Sequence, residues 1–208
     1  TTTANANGEY ALDIRLATDA GDDLIILTAT SPVTDQVLFH SILGNAEDIR
    51  SAAGGDTTLT NTELFATNIT NVSSAYYALV ADTNNGVVPT TKEQFLQATL
   101  NVDGGLLLPF ATAVKLVLDY SADNAALALP AQFATIKDWL ADKTAVLNYI
   151  QHAKNTAQAS YDEAFKAIQN DSQLVNLQLS TNQLLGQYFS DGSWSAGTAS
   201  QFTLRSDN

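Results

Sequence analysis

The chain of 208 residues contains no cysteine and no methionine. The first absence excludes a disulfide scaffold, a thiol nucleophile and a thiolate metal site. The second extends to the first residue, so the sequence reads as a processed chain or a piece of a longer one. The residues hold no signal-peptide pattern. Charge is also scarce: Asp, Glu, Lys and Arg make up 15%, against ~25% in ordinary globular domains. Basic residues are the rarer sign, 9 against 22 acidic, for a net charge of −13. A surface so negative repels phosphate backbones and anionic lipid, which argues against nucleic-acid and polybasic membrane binding. Histidine occurs twice, at His40 and His152, too far apart to offer zinc-ligand spacing. Long apolar runs are missing as well. The most apolar stretch, GGLLLPFATAVKLVL (104–118), is broken by Pro109 and Lys115 and falls short of the ~20 residues a spanning helix needs.

What remains is a chain that can fold: 45% of its residues are hydrophobic, enough for a core at this length. Its polar surface must come largely from Thr, Ser, Asn and Gln. Residues 1–44 read as β. Asn7-Gly8 is a hairpin signal. Tyr10, Leu12, Ile14 and Leu16 alternate with polar residues at the period of a half-buried strand. LIILTAT (24–30) suits a central strand, and QVLFHSILG (36–44) a third strand or the entry to a helical part.

From about 45 to 180 the period is helical. Phe65, Ile69, Val72, Tyr76 and Leu79 form one stripe behind a Thr60–Glu63 capping box. A second helix starts near Thr91, and a third covers 107–120 with Pro109 in its first turn. A fourth carries Phe133 to Ile150, and a fifth carries Tyr161, Phe165 and Ile168. Residues 181–208 turn β again around Asp191-Gly192 and Ala196-Gly197. The expected fold is therefore α+β, mainly α: a bundle or irregular array of about five helices flanked by partial β elements.

The sequence selects no catalytic constellation. No serine sits in a G-x-S-x-G elbow. His40, in VLFHSIL, reads as a hydrogen-bonded β residue and His152 as a surface residue near a helix end. For calcium, Asp82 and Asn84 in DTNNG resemble the start of a binding loop, but glycine comes one residue early and no closing Glu follows. Asp56 and Glu63 in GGDTTLTNTE form the other candidate pair, with capping as the competing use of Glu63. Gly54-Gly55 and Gly104-Gly105 precede helices without a P-loop lysine and read as turns. Asn68, Asn71 and Asn170 head glycosylation sequons by pattern. Tyr188, Phe189 and Trp194 cluster near the end, where aromatics either pack in a core or form an interface.

TTTANANGEYALDIRLATDAGDDLIILTAT (1–30) resembles the C-terminal half of the carboxypeptidase-regulatory-like, Ig-like modules of bacterial surface proteins. The features that carry it are a Thr-rich strand (Thr1–Thr3), an Asn5–Gly8 turn, a Tyr10–Ile14 strand, and an apolar strand ending Thr28-Ala29-Thr30. The stretch from Val37 through Val80 looks like a helical region accompanying such modules in exported proteins or lipoproteins. Three parts are expected: a partial Ig-like element (1–44), which the resemblance implies, and, from their periodicity, a helical domain (45–180) and an incomplete C-terminal β segment (181–208). The resemblance also implies an extracellular or cell-surface location, and a non-enzymatic role in adhesion, scaffolding or ligand presentation toward a protein or glycan partner. A strand from the same protein or a second copy would complete the sheet, with Thr1, Thr2 and Thr3 as its edge. The alternative is an extracellular polysaccharide hydrolase using a carboxylate pair.

Overall fold

A computed structural model describes residues 1–17, 19–55, 57–171 and 174. The fold is α+β and mainly α. Among the described residues two strands, β1 (Leu24–Thr30) and β2 (Leu38–Asn45), form an antiparallel hairpin. Seven helices follow among the described residues. They are α1 (Ala46–Ala53), α2 (Asn71–Thr83), α3 (Lys92–Thr99), α4 (Leu107–Lys115), α5 (Ile136–Leu140), α6 (Lys143–Thr156) and α7 (Gln158–Asn170).

The hairpin pairs Thr30 with Leu38 and Leu24 with Asn45, and a bulge opposite Ile25/Ile26 leaves Leu43 without a partner residue. Such a bulge bends the strand and shifts its register. β2 then runs straight into α1, because the Asn45 side chain accepts from the N–H groups of Glu47 and Asp48, each at 3.0 Å. An Asn at this position satisfies donors that the first helical turn leaves open.

Each face of the hairpin is covered by something different. Leu24, Ile26 and Ile42 pack into the helical core. Leu27 and Leu43 join Ile49 beneath Leu12, Leu16, Leu59, Leu64 and Ile69. The sheet is thus a middle layer between helices and irregular chain.

α4 is the central helix, packed by α2, α6 and α7. Seven of its nine residues are buried, from Leu107 to Val114, which is the all-round burial expected of a core helix. Ala75 and Ala78 on α2, with Ala111 and Ala113 on α4, are small and buried, so these two helices can approach closely. This position explains the apolar character of 104–118. No single helix among the described residues is long and apolar enough to cross a membrane. α4 continues into a π-helical turn at Leu116–Tyr120. Trp139 is fully buried and meets Tyr149 edge-on at 4.9 Å, and the Tyr149 hydroxyl donates to the Leu127 carbonyl at 2.6 Å.

Three expectations need correction. The first hairpin has its turn but not its strands. The Gly8 N–H donates to the Asn5 carbonyl and the Asn5 N–H to the Glu9 carbonyl, both at 2.9 Å, with φ +79° at Gly8 alone. That is a type I turn closed by a glycine bulge, not the twofold left-handed turn. Beyond it, Tyr10–Leu16 is extended coil, and Thr1, Thr2 and Thr3 are exposed and form no strand. The alternation in 10–16 is nonetheless used: Leu12 and Leu16 cover the sheet face, while the Tyr10 hydroxyl donates to the Thr67 carbonyl. The segment lies over the sheet instead of beside it.

Second, the 65–79 stripe is not one helix. Phe65–Thr67 is a single 3-10 turn, Asn68 is extended, and α2 starts after Thr70. The capping box that starts α2 is Thr70–Ser73, with bonds of 3.1 and 2.8 Å. Glu63 does bond the Thr60 N–H at 2.8 Å, but the two close a turn. Third, the fourth predicted helix is two. Thr135 caps α5 and Asp142 caps α6, so the chain restarts where each side chain offers an oxygen.

Candidate functional site

Two serines on the first turn of α2 fix β2 against the helices. The Ser74 hydroxyl accepts from the His40 N–H at 3.0 Å and donates to the Thr70 carbonyl at 2.8 Å. The Ser73 hydroxyl donates to the His40 carbonyl at 2.8 Å. Both backbone groups of His40 on the side away from β1 are thereby satisfied. An unpaired strand edge buried there would otherwise carry a desolvation cost of ~1–3 kcal/mol per group. The opposite end is fixed by the Ile136 N–H at the start of α5, which donates to the Gln36 carbonyl at 2.9 Å.

Between β2, α2, α5 and the loop 84–88 lies a cavity of about 280 Å³. Leu38, Ala78, Ala81, Val87, Val88 and Leu140 give it apolar walls. Gly86 (φ +79°) turns the loop over its mouth, and the Gly86 N–H closes the end of α2 on the Ala81 carbonyl at 2.8 Å. The polar groups at the cavity are His40, Ser74, Tyr77 and Lys137.

His40 is 6% exposed. Its ring stacks on Tyr77 with centroids 4.3 Å apart and planes inclined by 17°. Nδ1 pairs with the Thr28 hydroxyl at 3.0 Å, directly across the hairpin, while Nε2 is buried with no partner among the described residues. Burial, with the Lys137 charge adding to it, lowers the pKa of His40 to about 4, so the ring is neutral near pH 7. Burial also raises the Tyr77 hydroxyl above its ordinary value, so it stays a protonated donor. Lys137 is exposed and, among the described residues, is the only charged one lining the cavity.

The other candidate residues lie elsewhere. Asp82 pairs with Lys143 at 3.0 Å. Asn84 ends α2 and donates to the Val87 carbonyl at 2.8 Å. The Glu63 carboxylate accepts from both groups of Thr60. Among the described residues, no group of three or more His, Asp or Glu side chains is placed to hold a metal ion. Asp56, Tyr188, Phe189 and Trp194 lie outside the described residues, as does residue range 181–208 of the expected C-terminal β segment. His152 is exposed on α6. Of the sequon residues, Asn71 is half-buried, and its amide donates to the Ala111 carbonyl at 3.4 Å.

Sequence reasoning read His40 as a hydrogen-bonded β residue, not as part of a site, and missed Ser74, Tyr77 and Lys137. The one available signal was Ser73-Ser74 in an otherwise apolar helical stretch, where adjacent hydroxyls need buried partners. Lys137 had none, because its place at the cavity depends on α5 reaching Gln36. Compared with protein-family models, curated proteins and solved structures, the chain matches none.

Proposed function

We propose that this chain is a non-enzymatic ligand-binding module of an exported bacterial protein. The observation that carries the binding reading is the cavity between β2, α2 and α5. Two of its polar groups are committed to structure: the Ser74 hydroxyl holds the His40 backbone, and His40 Nδ1 holds Thr28. Among the described residues no acid lines it, so they supply no carboxylate pair of the kind glycoside hydrolysis requires. Apolar walls with a few polar groups suit binding. An exported setting draws support from the sparsely charged, Thr- and Asn-rich composition and from the resemblance of residues 1–30 to surface modules. The test is a titration of the full chain with 1-octanol, read by methyl chemical shifts. Shifts confined to Leu38, Val87, Val88 and Leu140, and lost in Ala141→Trp at the mouth, support the reading; no shifts there refute it.

A second reading has its own observation. Because the His40 N–H points away from β1, Ile26, Thr28 and Thr30 present their backbone groups on the outer edge of β1. Beyond the Leu24–Thr90 bond, that edge has no backbone partner among the described residues. Thr28 and Thr30 are exposed, and Ile26–Thr30 carries no charge, so the edge lacks the usual guard against pairing. It suits a second copy adding its own β1 antiparallel across a twofold axis. Concentration-dependent light scattering tests this. Association that Thr30→Pro abolishes supports it, since proline there removes only an outward N–H; a monomer at all concentrations refutes it.

A further inference from the structure

We infer that the cavity selects a small apolar monocarboxylate, with Lys137 at the mouth as the group that recognises the acid. This inference rests on the binding reading above and adds the ligand's chemistry.

The first observation is charge. Acids outnumber bases 22 to 9 in this chain, and Lys92, Lys115 and Lys143 each hold an aspartate. Lys137, like Lys154 and Lys166, has no acidic partner among the described residues, and among them it is the one charged group at the cavity. Its charge reaches the buried interior, where it acts on His40. An ammonium left without a carboxylate in so acidic a protein is open to one from a ligand.

The second observation is what surrounds that charge. The walls are apolar, and the Tyr77 hydroxyl has no hydrogen-bond partner among the described residues. The site therefore offers one cation and one neutral donor. That set matches one carboxylate. A phosphate would call for several converging N–H donors or an Arg fork, and a dicarboxylate for a second cation.

Size sets the rest. At about 30 Å³ for each water-sized group, the 280 Å³ cavity holds roughly nine non-hydrogen atoms, the size of a seven- or eight-carbon acid. The buried, partnerless Nε2 of His40 adds a polar atom below the stacked pair.

The experiment compares octanoate with 1-octanol by calorimetry on the full chain at low salt. Octanoate should bind more tightly than octanol, and added salt should weaken only octanoate. Lys137→Gln, at an exposed position, should weaken octanoate by about three- to fivefold, as expected for an exposed ion pair, and leave octanol unchanged. Ala141→Trp should weaken both. Octanoate binding no tighter than octanol, or equally tight in Lys137→Gln, overturns the carboxylate inference and leaves the pocket reading standing. Failure of both probes on the unmodified chain overturns both.

Discussion

Replacing His40 by phenylalanine should change how stability depends on pH, and the size of the change follows from the ring's surroundings. Phenylalanine keeps a ring against Tyr77 and loses the bond to Thr28 along with the partnerless Nε2. Those two losses oppose each other, so at pH 7 the variant should lie within about 1 kcal/mol of the parent. Acid separates them. Folded His40 has a pKa of about 4, and an unfolded histidine titrates near ~6.5. Between these values the unfolded chain binds more protons than the folded one, so stability falls as pH falls. Above the unfolded value the two states are equally neutral and the effect vanishes. At pH 5 protonation stabilises the unfolded ring by about 2 kcal/mol and the folded ring hardly at all, a net loss of about 2. Below pH 4 the loss levels off near ~3 kcal/mol. Carboxylate titration affects both proteins alike, so the difference between them isolates this ring. Urea unfolding of parent and His40→Phe from pH 7 to pH 4 measures it. The variant should gain about 2 kcal/mol on the parent by pH 5. Parallel stability curves would refute the claim that a neutral, buried His40 is held there by desolvation.

Other outcomes follow from the same contacts. Ser74→Ala strands the buried His40 N–H and should cost ~1–3 kcal/mol, measured by urea unfolding, while Lys143→Gln, which breaks only an exposed pair with Asp82, should cost under ~1 kcal/mol. Phe110→Ala empties the centre of α4, where Phe110 is 1% exposed, and should lower stability by ~3–5 kcal/mol. Gly86→Ala forces a Cβ onto φ +79° with no atom nearby to clash, so the whole cost is backbone strain of ~1–2 kcal/mol, seen as a lower melting temperature. Lys137→Gln should raise the His40 pKa, because it removes the charge that adds to burial in lowering it; an NMR titration of the ring shows whether it does.

Much of the fold was legible because local chemistry and tertiary structure agree there. LIILTAT is apolar and β-branched and forms β1. Thr91 caps α3 as its position suggested, and Pro109 sits in the first turn of α4, where its missing N–H costs nothing. The expectations that failed did so where two local rules competed. Thr60–Glu63 and Thr70–Ser73 both have the form of a capping box, and only the second precedes residues that α4 can bury. Tyr10–Leu16 has a strand's period, but alternation says only which side chains turn inward. It does not say whether a neighbouring backbone edge is there to pair with.

By itself, the sequence determined the class of this protein: helical and β periods in the right order, and a strongly acidic, sparsely charged composition. Those properties depend on residues within a few positions of one another, which a linear reading can see. Only the tertiary structure decided the rest. It set the two-stranded sheet between unlike layers, the serines of α2 bonded to the His40 backbone, and the meeting of Tyr77 and Lys137 around one cavity. His40 and Lys137 stand far apart in the chain and belong to β2 and α5, which pack together, with the Ile136 N–H bonded to the Gln36 carbonyl just ahead of β2. A site assembled by such long-range contacts has no local spacing to betray it, because its geometry comes from packing.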